Sequence, residues 1–384
     1  MRKDNVMFFK DIVGQETIKH QLLANVANNR ISHALLFLGP EGSGHLPLAL
    51  ALSRYIQCRQ RSPEDACGTC PSCLKMNKQE HPDLHFFFPV ASTQEHKKDV
   101  SSRLFYKTWR ELLLNHPYFT YNQWLEKSGI ENKQAIINAE DCNEIIRVLG
   151  LKTYESPFKI VVIYMVEKLY HAAAPKLLKI LEEPPEKTLF IMVAENKEMI
   201  LNTILSRAQV LRIPLLPEED VEKALATRYE ATQSQARHIA MFSGGNFAEA
   251  LHLMDEGADQ LAGLEQFRGW MRLCFKNDWQ NILIWVDGVS KLGREKQKTF
   301  LQYGLKAFRM CLVKNYRADE LLRLEGEEMK FVDGLAPYVN HQNTLQMVDA
   351  FNTALAHIER NANPKILFTD LSFTLVRLFR AFKK

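Results

Sequence analysis

The sequence predicts an α/β domain on a parallel sheet, with a glycine turn and a cysteine-bearing insert, then a small helical domain and an all-helical third domain. Three observations carry this expectation. Short apolar runs rich in branched residues alternate with helical stretches as far as Pro214, the alternation that builds parallel sheets with right-handed crossovers. Beyond Pro214 every stretch has helical period and no strand-like run competes. The chain has 384 residues, and about 150 residues per domain leaves room for two or three.

The elements follow in order. In residues 15–28, Ile18, Leu22, Leu23 and Val26 have the three-and-four spacing of a one-sided helix. HALLFLG (33–39) is a strand ending in glycine, PEGSGH a loop, and LPLALALSRYI a helix. FKIVVIYM (158–165) and TLFIMVA (188–194) are further strands, apolar enough to be buried on both faces, and AQVLRIP (208–214) and DLHFFFPV (83–90) are strand candidates. AAAPKLLKILEEPP is a helix stopped by Pro184 and Pro185. Residues 91–135 fit none of these elements. Aromatic-rich and helical around TWRELLLNHPYFTYNQWLE, they are placed as an insertion in the first domain, which spans 1–214. Helical stretches from 215 to 258 form the second domain and those from 259 to 384 the third.

Composition excludes several classes. Hydrophobic residues at 46% and charged residues at 24% are ordinary globular usage, against disorder or a fibre. The 49 basic residues exceed the 45 acidic ones by only +4, so contact with DNA must come from local patches. The start, MRKDNVMFFKD, interrupts its apolar run with charge, and nowhere do 18 uncharged apolar residues follow one another, so neither export nor a membrane span is expected. A cytoplasmic protein is the expectation.

A working phosphate loop has the form G-x-x-x-x-G-K-[ST], with amides around the phosphates, a lysine on their oxygens and a hydroxyl on magnesium. Here the frame holds Gly39, Pro40, Glu41, Gly42, Ser43, Gly44, His45 and Leu46. Histidine is shorter than lysine and mostly neutral at pH 7, and Leu46 offers no oxygen to a hard cation. An ATPase also ends its second strand with carboxylates that hold magnesium and polarise water. KIVVI runs instead into Tyr164, Met165 and Val166, and the first acid, Glu167, comes several residues late. No ATP or Mg2+ chemistry in this chain is expected. A glycine turn that never meets phosphate, and weak docking of nucleotide on the loop amides, both stay open.

Of seven cysteines, four lie between 58 and 73 in the pattern C-x8-C-x2-C-x2-C. A C-x2-C pair lets two thiolates on one tight turn face a tetrahedral ion, so Cys58, Cys67, Cys70 and Cys73 are expected to form a closed structural zinc site. Cys142, Cys274 and Cys311 stand alone and read as small buried hydrophobes.

FKDIVGQETIKHQL, RISHALLFLGPEGSG, the four-cysteine insert, HPDLHFF, AAAPKLLKILEEPP and TILSRAQ together resemble the δ′ subunits of bacterial DNA polymerase III, clamp-loader members of the AAA+ class. The likeness covers about residues 9–90 and 136–250. The resemblance implies an AAA+ domain, a helical lid, and a C-terminal collar that holds a pentamer together. In this family ATP sites lie between subunits, and an SRC motif lends an arginine to the phosphate next door. The motif stands here as Ser206, Arg207 and Ala208, so Arg207 is the implied arginine finger, a planar and permanently charged donor suited to phosphate. Active relatives place an arginine over their nucleotide where SGGNFAEAL has Glu249.

The expectation is therefore a non-catalytic subunit in DNA replication. Its implied partners are γ/τ-type ATPase and δ-type subunits in a hetero-pentamer that loads a sliding clamp on primer-template DNA. Two other readings are weighed against it. One is an autonomous P-loop ATPase or nucleotide kinase that meets phosphate through His45. The other is a zinc-dependent DNA-binding module, suggested by Arg59, Arg61 and Lys75 near the cysteines and opposed by Glu64 and Asp65.

Overall fold

The computed structural model describes residues 7–130, 133–255, 259–317, 326–340, 342–360 and 362–381. The charged first six residues, the last three, and the segment 256–258 where the sequence sets the start of the third domain lie outside them. The chain divides into two compact units, Met1–Ala236 with Ser243–Leu251, and Arg237–Phe242 with His252–Lys384.

In the first unit α1 (Glu16–Ala27) leads to β1 (Ala34–Leu38), α2 (His45–Gln57), α3 (Pro71–Asn77) and β2 (Leu84–Phe87). Then come α4 (Tyr106–Asn115), α5 (Tyr121–Lys127), α6 (Ala139–Leu149), β3 (Lys159–Tyr164), α7 (Ala174–Glu182) and β4 (Thr188–Ala194). The short α8 (Asn202–Leu205), β5 (Gln209–Arg212) and α9 (Glu218–Arg228) follow, and α10 (Gln233–Ser243) and α11 (Phe247–Asp255) contain the division between units.

The five strands form one parallel sheet in the order β2-β3-β4-β1-β5, with Leu36 opposite both Met192 and Val210. Alternation along each strand splits the core into two layers. Leu35, Phe37, Ile160 and Val162 face one side with residues of α2, α4 and α5, whereas Leu36, Val161, Ile163 and Met192 face the other with α6 and α7. All residues of β1, β3 and β4 are buried, as their unbroken apolar runs require.

An antiparallel bridge between Val90 and Ile136 closes the base of the inserted segment. Its helical stretch breaks into α4 and α5 because Pro117 keeps His116 out of the helical region, at φ −142° and ψ 71°. The aromatic residues turn inward: Trp109 stacks on Phe88 at 4.2 Å, and Trp124 donates from Nε1 to the Pro89 carbonyl at 2.8 Å. Asp141, in the first turn of α6, accepts from both N–H and Oγ of Ser102 at 2.7 and 2.8 Å and ties the insertion to the sheet.

The second unit is helical throughout its described residues: α12 (Asp259–Lys276), α13 (Trp279–Val289), α14 (Arg294–Asn315), α15 (Gly326–Leu335), α16 (Thr344–Glu359) and α17 (Pro364–Ala381). Trp270 stacks on Trp285 at 4.5 Å and donates to Ser372 Oγ at 2.9 Å. Gly304 lets α14 approach two rings: a Cβ there would lie 2.4 Å from Phe351 and 2.8 Å from Phe267. Gly304→Ala therefore overpacks the bundle despite its better helix propensity. A loss of about 1–3 kcal/mol is expected, read from the denaturant midpoint.

Candidate functional site

The glycine loop joins β1 to α2, and the structure shows what lies in front of it. Gly42 and Gly44 adopt φ +73° and +88°, a left-handed geometry that glycine takes without strain. Residues 42–46 are all buried. Asn246, before α11, presses against the loop so closely that a Cβ on Gly42 would sit 1.8 Å from its Oδ1. Phe247 N–H donates to the Gly42 carbonyl at 3.1 Å. From the other side, Tyr118 of the insertion has ring atoms 3.4 Å from where a Gly44 Cβ would be. Its Oη accepts from Val13 N–H at 3.0 Å, and its ring meets Phe247 edge-on at 4.8 Å. Gln15 pins the loop from beneath, donating from Nε2 to the carbonyls of Ser43 and Pro214 at 3.0 and 2.7 Å.

His45 stands where a phosphate loop has lysine. Its Nδ1 lies 3.1 Å from Ser43 Oγ, and its Nε2 has no hydrogen-bond partner among the described residues. Burial holds its pKa down at about 4, so it is neutral at pH 7. Glu195, at the end of β4, has Oε1 at 3.8 Å from His45 Nε2. Burial, with Glu41 and Glu167 nearby and Lys168 opposing, pushes Glu195 up to about 8. With a neutral imidazole facing a mostly protonated carboxyl, that contact is no ion pair at pH 7.

Tyr164 closes β3 where an ATPase carries its acid. It is 2% exposed and walled by insertion residues, with Trp109 at 5.2 Å and Phe119 at 5.5 Å between ring centres. Glu167, the late acid, is engaged structurally: its Oε1 accepts from the N–H groups of Glu195 and Asn196 at 2.8 and 3.2 Å. Glu249 lies in the first turn of α11, where its N–H donates to Asn246 Oδ1 at 3.0 Å.

Arg207 follows α8 at the surface. Its Nε donates to Glu182 Oε1 of α7 at 2.8 Å, and Nη2 donates to the same oxygen. Nη1 donates to the Thr203 carbonyl and to Ser206 Oγ, each at 3.0 Å. The loop residues thus gather in a closed pocket, and Ser206 with Arg207 stands apart on an exposed edge. The sequence reading missed Tyr118 and Asn246. Neither lies in a motif, although an aromatic-rich insertion in a chain with a stripped glycine loop was a usable signal.

The four cysteines converge. Cys58 caps the end of α2, Cys70 precedes α3 and Cys73 lies in its first turn. Their sulfurs all lie within 4.8 Å of one another, and Cys67 Sγ is 3.9 Å from Cys73 Sγ. That matches the ~3.8 Å edge of a tetrahedron with 2.3 Å metal–sulfur bonds. The N–H groups of Cys67, Cys70 and Cys73 point at Cys58, Cys67 and Cys70 sulfur at 3.3, 3.4 and 3.5 Å, stabilising negative sulfur.

Beside the cluster, Arg54 is 1% exposed, 4.5 Å over the Phe8 ring, with Nη2 lacking a hydrogen-bond partner among the described residues. Burial lowers its pKa to about 10, against the upward pull of Cys73 and Cys58. A buried cation beside four sulfurs fits a dication whose thiolates leave net negative charge. Of the nearby surface cations, Lys75 and Arg59 share Glu155 at 2.5 and 3.8 Å, and Arg61 lies 5.5 Å from the Tyr55 ring centre.

A family model described as "DNA polymerase III, delta subunit" matches residues 14–217, more than half of the chain. The chain belongs to this DNA polymerase III delta family. Among curated relatives, the delta′ subunit of Bacillus subtilis is 28% identical over 65% of the chain and 62% of its own length. The delta′ subunit of Yersinia pestis is 30% identical over 49% and 43%. The gamma subunit of Buchnera aphidicola is 24% identical over 66% and 60%. The matched part thus spans about three-fifths or less of these relatives. This delta-family member is delta-prime-like and of the clamp-loader family, on a parallel α/β sheet with a helical C-terminal part. No described helix is long and apolar enough to cross a membrane.

The pocket makes a pH prediction. His45, lowered from 6.5 to about 4, adds stability as pH rises across that window, because the unfolded chain binds the extra proton. Glu195, raised from 4.5 to about 8, removes stability as pH rises between those values. Of these two groups the slopes oppose each other up to pH 6.5, and only that of Glu195 remains above it. Glu195→Gln should therefore make the change in melting temperature between pH 6.5 and 8 less negative than in the parent chain.

Proposed function

We propose that this chain is a non-catalytic subunit of the clamp loader of a DNA polymerase III holoenzyme, lending Arg207, with Ser206, to a triphosphate bound by a neighbouring subunit. One observation carries the reading. In the chain's own phosphate loop Gly42 faces Asn246 and Phe247 and Gly44 faces Tyr118, whereas Arg207 stands at the surface in a contact that is easily given up.

The exposed pair between Arg207 and Glu182 contributes about 0–1 kcal/mol. A phosphate with more charge and two matching oxygens is the stronger partner for a guanidinium. Ser206 Oγ and the Thr203 carbonyl hold one edge of that guanidinium and leave its direction set by α8. In cis, a neutral His45, an apolar Leu46 and Tyr164 leave no group to grip polyphosphate, hold magnesium or polarise water, and Glu41 and Glu249 add repulsion. Residues 1–214 would act as the AAA+ part, 215–258 as its lid and 259–384 as the collar. Relatives named gamma, tau and delta′ support ATPase and δ-type subunits as partners in a pentamer, acting on a sliding clamp and primer-template DNA in the cytoplasm.

The four cysteines would hold a structural Zn2+, which closes the loop between α2 and α3 and supplies no catalysis. Purified chain should carry about one zinc per molecule. Chelation under mild denaturant should lower its melting temperature, and Cys70→Ser should match the chelated protein.

For the finger, chain and ATPase subunits from the same organism are mixed and their turnover measured. Arg207→Ala should leave the complex intact by size exclusion while the site it completes slows by about a thousandfold. Glu182→Gln, which frees the arginine, should preserve turnover. Unchanged turnover with Arg207→Ala would overturn the reading, as would ATP hydrolysis by the chain alone that disappears with His45→Ala.

A further inference from the structure

Within the second unit, α12, α15 and α17 enclose a cavity of about 380 Å3, within the size range of ligand pockets. Its floor is apolar: Met271, Phe331, Leu335 and Phe379 are all buried. Its rim is cationic. Arg268, Arg272 and Lys276 recur every four residues, so they share one face of α12, and Lys330 of α15 adds a fourth charge. Among the described residues no carboxylate lines the cavity.

Among the described residues the nearby acids already have partners, one of them the rim's own Arg268. Glu265 pairs with Arg268 at 2.9 Å, Asp333 pairs with Lys314 at 3.1 Å, and Asp278 caps α13 through Asn281 N–H at 3.2 Å. Arg272 and Lys276 are exposed and make no ion pair among the described residues. Two solvated cations thus border a recessed apolar floor, and the charge of Lys276 also acts on Asp278.

We propose that this cavity is a docking site for an acidic peptide segment of a partner protein, with one or two apolar side chains seated on the floor and carboxylates along the α12 rim. Charge complementarity and length select that occupant. The rim from Arg268 to Lys276 runs about 12 Å along the helix. That distance matches about four residues of extended chain. A single-stranded nucleic acid would instead require flat aromatic faces for its bases. Phe275 and Tyr338 turn toward each other, with ring centres 4.6 Å apart at 57°. The proposal stands independently of the role of Arg207, since no residue of the first unit enters it.

Gly334 supplies the test. It lines the cavity within α15, and a Cβ there would meet nothing within 4 Å. Leucine is the better helix former, so Gly334→Leu fills the cavity without straining the helix. A fluorescein-labelled peptide of glutamates flanking a Trp-Leu pair is titrated against the full-length chain by fluorescence polarisation. Saturable binding that weakens with salt is expected. Arg272→Glu combined with Lys276→Glu should weaken it about tenfold or more. Gly334→Leu should abolish it while the melting temperature stays at the parent value.

Three results would overturn the proposal. The first is no saturable binding, and the second is equal binding by a control peptide with alanines for Trp-Leu, which would reduce the site to rim charge. The third is displacement of the peptide by an oligothymidylate that binds more tightly, which would make the surface a nucleic-acid contact.

Discussion

The constraint on which the first unit most depends is the packing around Gly42 and Gly44, whose left-handed backbone lets other parts of the same unit come close. Asn246 presses on one glycine and Tyr118 lies over the other, while Phe247 links the two through a hydrogen bond and a ring contact. Much of the first unit is arranged around this packing. Val13 is held by the Tyr118 hydroxyl, β3 ends against Trp109 and Phe119, and the lead-in to α11 is docked on the loop. His45, Leu46 and Tyr164 suit this burial, His45 as a neutral imidazole and the other two as largely apolar groups.

Burial also explains the electrostatics. Three carboxylates, Glu41, Glu167 and Glu195, crowd one end of the sheet, and a bound cation or lysine would keep them ionised. Glu195 instead holds its proton up to about pH 8, and Glu167 spends its charge on two backbone N–H groups at the end of β4. The histidine in the lysine position is equally unable to charge. At His45 and Glu195 burial removes the charge, the cheaper route where water is excluded.

The parallel sheet was legible because β1, β3 and β4 are buried throughout and therefore read as unbroken apolar runs, whereas β5 at the edge buries one residue of four. All five strands lie within the expected runs, with ends shifted by up to three residues. The four cysteines were legible from spacing, since a turn of two intervening residues leaves sulfurs few places to go. What could not be read was the use of the insertion. Nothing in TWRELLLNHPYFTYNQWLE announces that Pro117 splits it into α4 and α5 and sends Tyr118 to Val13, 105 positions away along the chain. A long-range packing partner leaves no local periodicity, and Asn246 was hidden for the same reason in a segment that reads as an ordinary glycine turn and helix start. For Arg207 the sequence supplied the residue but not its ion pair, because Glu182 belongs to a different helix.

Tyr118 has one consequence rooted in its covalent attachment. A diffusible occupant of such a cleft comes and goes with supply, and a protein that depends on it is stabilised in proportion to the logarithm of its concentration. A side chain delivered by the protein's own backbone has a fixed effective concentration that neither dilution nor metabolic depletion can change. Under the proposed function, the cleft would be buffered against the energy state of the cell, and the edge that carries Arg207 would rest on a scaffold of constant shape.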